Sequence, residues 1–138
     1  MFNHILLASD GSEYSIRASE KAVCLAENNP NAKITIAYVV DGAASSSDSH
    51  QWNALDLNES RKQKLLITER KLQQAHVSYE VKILHGDPAL TLVEFAAEND
   101  FEVLVIGSRG LNTLQEMVLG SVSHKVAKLA PCPVLIVK

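Results

Sequence analysis

Apolar positions in this chain fall into two alternating rhythms, one of short runs and one of stripes at helical spacing. "HILLAS" (4–9) is nearly continuous in apolar residues and ends at the turn pair Asp10-Gly11. That is the pattern of a strand buried on both faces. Ser12 then predicts a helix N-cap, and Ala18, Ala22, Leu25 and Ala26 share one face of a helix reaching about Asn28. "KITIAYVV" (33–40), rich in β-branched residues, predicts the second strand. Residues 54–75 are charged and helical, with Leu65, Leu66, Leu72 and Ala75 spaced for one apolar stripe. In "VSYEVKIL" (77–84), Val77, Tyr79, Val81 and Ile83 alternate with polar neighbours, as in a strand with one wet face or at a sheet edge. Asp87 and Pro88 predict the cap and first position of a helix carrying Leu92, Val93, Phe95 and Ala96. "EVLVIG" (102–107) is again an apolar strand. Residues 121–129 are helical up to the stop at "APCP", and "VLIVK" (134–138) predicts a closing strand.

Strict β-α alternation predicts an α/β fold with an open parallel sheet of five strands and helices on both faces, because right-handed crossovers allow little else. All 138 residues fit a single domain, with "DGAASSSDSHQ" opening a surface loop over about 41–53. A content of 46% hydrophobic and 21% charged residues is that of an ordinary globular chain. The net charge of −3 argues against a nucleic-acid partner, which calls for a basic face. No apolar run is long enough to predict a membrane span, and "MFNHILLASDG" does not resemble a signal peptide. Cys24 and Cys132 form no CxxC pair, and the five histidines show no metal-type spacing. Reduced thiols, a cytoplasmic location and no protein metal ligands are therefore expected.

In open α/β sheets, ligands bind beyond the carboxyl ends of the strands, where the strand order switches. "ASDGS", "YVVD" and "GSRG" follow the first, second and fourth strands, and one sheet brings them to one rim. "GSRGLNTLQEMVLGS" (107–121) holds three of the six glycines. Gly107 and Gly110 flank a turn where a flat group can lie against bare backbone. The plainer alternative is that they only shape the turn and that Gly120 only admits a helix close to the sheet. Gly120 precedes Ser121, Val122 and Ser123, whose N–H groups open a helix and form an anion site. Arg109 can reach a phosphate through a bidentate contact. Asp10 is the carboxylate expected to line the site, with a turn-forming role as its alternative. Asp87 is assigned mainly to capping, although its loop also lies on the carboxyl rim, Asp41 to the loop, and Glu116 to solvent. The pattern is neither a Walker A loop nor GxGxxG, and it contains no GxSxG elbow. No residue is assigned a catalytic role.

The segment Gly107-x-x-Gly110, nine residues, then Gly120-Ser121 matches the G-2x-G-9x-G-(S/T) signature of the universal stress proteins. The chain resembles that family throughout, including "ILLASDGSE", "YVVD", "HGDPALTLVEFA" and "PCPVLIVK". The resemblance implies a Rossmann-like, adenine nucleotide alpha-hydrolase-like fold with strand order 3-2-1-4-5, and membership of the family's ATP-binding branch. On that basis Asp10 and the backbone of Val39 would hold adenine, with Ala8 and Ser9 lining its pocket. Ala8 stands where many ATP-binding members carry proline. Ile106 and Gly107 would lie under the nucleoside. Arg109, Gly110, Gly120, Ser121, Val122 and Ser123 would cradle the phosphates, with Mg2+ or Mn2+ carried on them. The resemblance also implies a homodimer pairing through 134–138. The function expected is a nucleotide-responsive switch or stress-resistance factor read by a protein partner, with ATP ordering the loop 108–119 and the helix after it. The rival readings are a slow ATPase and a dimeric scaffold that binds AMP, a cyclic nucleotide or nothing.

Overall fold

The computed structural model describes residues 2–40, 59–110 and 119–138. Five strands, β1 (His4–Ser9), β2 (Lys33–Val40), β3 (Ser78–His85), β4 (Val103–Gly107) and β5 (Val134–Val137), alternate with four helices. The helices are α1 (Glu13–Ala26), α2 (Glu59–Gln74), α3 (Pro88–Glu98) and α4 (Ser121–Leu129). The strands form one sheet in the order β3-β2-β1-β4-β5, and every pairing is parallel. The expected strand order is therefore observed. The order reverses between β1 and β4, which places a switch point beside the central strand.

Local chemistry starts the helices where the sequence predicts. Ser12 caps α1, its Oγ accepting the Ser15 N–H at 3.2 Å. Asp87 caps α3, its Oδ2 accepting the Leu90 N–H at 2.9 Å, and Pro88 holds the first helical position.

Two apolar layers cover the sheet. Ile5, Leu7, Ile34, Ile36 and Val105 pack with Ala18, Ala22, Leu65 and Leu72 on the α1 and α2 side. Leu6, Ala8, Ala37, Leu104 and Ile106 pack with Ala89, Leu92, Ala96 and Val126 on the α3 and α4 side. Each fully buried Leu or Ile contributes about 1.5–3 kcal/mol. Alanines dominate the inner face of α1, which lets that helix sit close to the sheet.

The α2 stripe differs from expectation. Leu65 and Leu72 are buried, but Leu66 is 48% exposed and Ala75 lies at the surface. The buried row is Leu65, Thr68 and Leu72, spaced three and four apart. Thr68 is tolerated there because its hydroxyl reaches the Lys64 carbonyl at 3.4 Å. The loop over 41–53, with Asp41, lies outside the described residues, as do the predicted helical positions 54–58.

At the opposite end of the sheet from the carboxyl rim, Glu102 ties β1 to the approach of β4. Its Oε1 accepts the N–H groups of Asn3 at 2.8 Å and His4 at 2.9 Å. Those two bonds hold its carboxyl below the usual carboxylate range.

Candidate functional site

The carboxyl ends of β1, β2 and β4 open into a cleft of about 450 Å³, within the range that holds small ligands. All twelve residues nominated from the sequence border it. Ala8, Ser9 and Asp10 line it from β1, Val39 from β2, and Ile106 and Gly107 from β4. Arg109 and Gly110 line it from the turn after β4, and Gly120, Ser121, Val122 and Ser123 from the start of α4. Residues as far apart in sequence as Ala8 and Ser123 meet here because parallel strands all finish at the same rim.

The walls divide by chemistry. Ala8, Ala37, Val39, Leu92 and Ile106 supply an apolar lining. The carboxylate of Asp10 takes the Ser12 N–H on Oδ1 at 2.9 Å, so Asp10 is both the turn former and a lining group. Ser9 follows Ile5 and Leu7 on the α1 side of β1. Its hydroxyl is the buried side-chain polar atom without a hydrogen-bond partner among the described residues. A buried donor left unpaired costs about 1–3 kcal/mol, and the Ser9 hydroxyl is in that state.

The N-terminus of α4 also lines the cleft. Its first intrahelical bond runs from the His124 N–H to the Gly120 carbonyl at 3.0 Å. The amides of Ser121, Val122 and Ser123 precede it, and no side chain caps the helix. They form a ready anion site at the positive end of the helix dipole. The backbone of Ser108, which the sequence reading passed over, sets their position. Its N–H donates to the Val137 carbonyl at 2.7 Å, and its own carbonyl accepts the Gly120 N–H at 2.7 Å. The Ser123 hydroxyl also donates to that carbonyl at 2.8 Å, within reach of the Gly120 carbonyl at 3.1 Å. Ser123 thus spends its hydroxyl proton on the scaffold and offers the cleft its backbone amide.

The paired glycines have distinct causes. A Cβ on Gly107 would lie 2.7–2.9 Å from the Cβ and backbone of Tyr14. The group that comes close there is the first turn of α1, a neighbour that neither reading of this residue named. A Cβ on Gly110 would lie 2.7 Å from Oδ2 of Asp10, so that glycine gives the carboxylate its room. Arg109 borders the cleft with its Cζ 5.8 Å from the centre of the Tyr14 ring.

Sequence reasoning missed several further wall residues. Ala37 and Tyr38 precede Val39 at the end of β2, Ser15 sits in the first turn of α1, and Asp87, Pro88 and Leu92 open α3. Asp87 and Pro88 carried a readable cap signal, and the loop of Asp87 was expected on the carboxyl rim, but neither residue was nominated for the site. Glu116 and loop positions 111–118 lie outside the described residues.

A model of the universal stress protein family matches residues 1–138. The chain belongs to that family. Among curated relatives, this universal stress protein is 38% identical to universal stress protein YxiE of Bacillus subtilis, with 100% of each chain covered. Among solved structures it is similar to the hypothetical protein MJ0577, 27% identical with a TM-score of 0.85, over 100% of this chain and 96% of that one. It is also similar to a universal stress protein in complex with cAMP, 28% identical with a TM-score of 0.72, over 99% of this chain and 97% of that one.

Proposed function

We propose that this universal stress protein, a single domain over residues 1–138, binds an adenine nucleotide in the cleft, with ATP as the ligand. The observation that carries the reading is the pairing of two opposed chemistries in one cavity. A carboxylate stands in its wall beside Gly110, and three helix amides without a side-chain cap stand in the same wall at the start of α4. Asp10 and the Val39 backbone would read the base, with Ala8, Ser9 and Ile106 beside it. The amides of Ser121, Val122 and Ser123, with Arg109, Gly110 and Gly120, would hold the phosphates. Each charge-assisted hydrogen bond contributes about 1.5–3 kcal/mol. Three or four, less the cost of association, give micromolar affinity, about −8 kcal/mol.

Mg2+ or Mn2+ would ride on the phosphates, since no cluster of three or more His, Cys, Asp or Glu gathers among the described residues. Bound metal would neutralise phosphate charge. The protein's part is to bind and orient the nucleotide. The reading is a binding switch rather than a metabolic enzyme. Occupancy would stabilise the start of α4 and bias a surface seen by a protein partner. No helix among the described residues is long and apolar enough to cross a membrane, and a cytoplasmic homodimer pairing through 134–138 completes the proposal.

A second ligand has specific support, because a relative 28% identical was solved with cAMP. Calorimetry with ATP, ADP, AMP and cAMP separates the two, alongside mass spectrometry of any small molecule released on denaturation. The expected result is micromolar ATP binding, tighter than that of the monophosphates. Tighter binding of cAMP or AMP would transfer the site to them, and no heat from any of the four would end the nucleotide reading.

A further inference from the structure

We infer that Tyr14 is a positioning residue that holds Arg109 at the phosphate end of the cleft and so sets the preference for nucleotides with a charged tail. The inference rests on the nucleotide reading above and adds a residue outside the cleft wall. Tyr14 sits in the first turn of α1, and that turn is anchored from three sides. Ser12 donates its N–H to Asp10 at 2.9 Å. The Ser12 carbonyl accepts the Ser15 hydroxyl at 2.8 Å and the Ile16 N–H at 3.1 Å. The Cβ and backbone of Tyr14 then lie where a Cβ on Gly107 would be, within 2.7–2.9 Å. The absent side chain at the end of β4 is therefore what lets Tyr14 seat there.

Arg109 leaves the chain two residues after that contact, from a turn pinned by both backbone groups of Ser108. Ring and guanidinium thus start from fixed points, and they meet with Arg109 Cζ 5.8 Å from the ring centre. A guanidinium at that distance is attracted by the ring quadrupole. An arginine stacked on a ring keeps its in-plane N–H donors for a phosphate and loses less rotamer freedom when the phosphate arrives. A second cation, Arg17, lies 5.0 Å from the same ring centre. Its own carboxylate partner, Glu13, is distant at 3.9 Å and exposed. Two guanidinium groups gathered on one ring concentrate positive charge around Arg109, which lines the same cleft as the start of α4.

The test compares ATP with adenosine, which shares the base and ribose contacts but carries no phosphate. Tyr14→Leu should weaken ATP binding about two- to fivefold, the size of one partly exposed cation–π contact, and leave adenosine unchanged. Tyr14→Phe, which keeps the ring, should bind both ligands like the wild type. In an Arg109→Ala background, Tyr14→Leu should have no further effect on ATP, because the group it positions is gone. Equal weakening of ATP and adenosine, or a full effect of Tyr14→Leu without Arg109, would show a merely structural role and overturn the inference. Unchanged ATP binding by Tyr14→Leu would overturn it while leaving the nucleotide reading intact. Wild-type protein that binds neither ligand would overturn both.

Discussion

Gly107 and Gly110 stand three residues apart in one turn, yet a methyl group added to each meets a different kind of neighbour. At Gly107 it meets the Cβ and backbone of Tyr14, which cannot move without shifting α1. Gly107→Ala should destabilise the fold by about 1–3 kcal/mol through overpacking, seen as a lower denaturation midpoint. At Gly110 the obstacle is Oδ2 of Asp10, the far end of a side chain that can turn aside. Gly110→Ala should change stability by no more than about 0.5 kcal/mol and instead weaken nucleotide binding, because the carboxylate leaves its place. Equal stability losses in the two variants would refute this division. The spacing of the glycines was readable, but the occupant of each gap was not. A glycine in a sequence says that no side chain fits, whereas the obstructing atoms come from a helix and a carboxylate folded in from far along the chain.

At the level of elements, the signals that proved readable were those carried within one turn of chain. Asp87 followed by Pro88 announced the start of α3, and Ser12 announced α1. The stripe on α2 was misread at Leu66 and Ala75 because hydrophobicity alone does not say which of two neighbouring rows meets the sheet. Packing chose the row with Thr68, whose hydroxyl can bond within its own helix. Strand starts also depend on partners. Glu102 holds the opening of β1 through two backbone N–H groups, which lower its pKa. A carboxyl whose folded pKa is depressed contributes stability above its unfolded pKa and loses it as pH falls through the folded one, because the unfolded chain binds the extra proton. Wild-type protein should therefore lose stability relative to Glu102→Gln as pH drops below about 4, the ordinary range for glutamate. Urea melts of both proteins across that range measure it, and parallel curves would contradict it.

For the whole molecule, the sheet leaves β3 and β5 as edges. β5 carries Leu135, 37% exposed, on a short apolar strand, a liability that a partner copy would remove. If the proposed dimer forms there, sedimentation should give twice the chain mass of 15.1 kDa, and Leu135→Lys should shift the protein towards monomer. Full dimerisation of that variant would place the interface elsewhere. Since Ser108 bonds to the Val137 carbonyl and also carries the start of α4, the same strand is tied to the part of the cleft wall that α4 forms. By itself, the chain's pattern of apolar residues, caps and glycines determined the alternation of elements and which strand-end segments, after β1, β2 and β4, share the carboxyl rim, because periodicity and turn chemistry act over a few neighbouring positions. Only the tertiary structure decided what fills the space beside Gly107, that the Ser123 hydroxyl serves the scaffold, and that Tyr14 meets Arg109. Those are contacts between segments joined through the sheet, and their geometry exists only once the strands have paired.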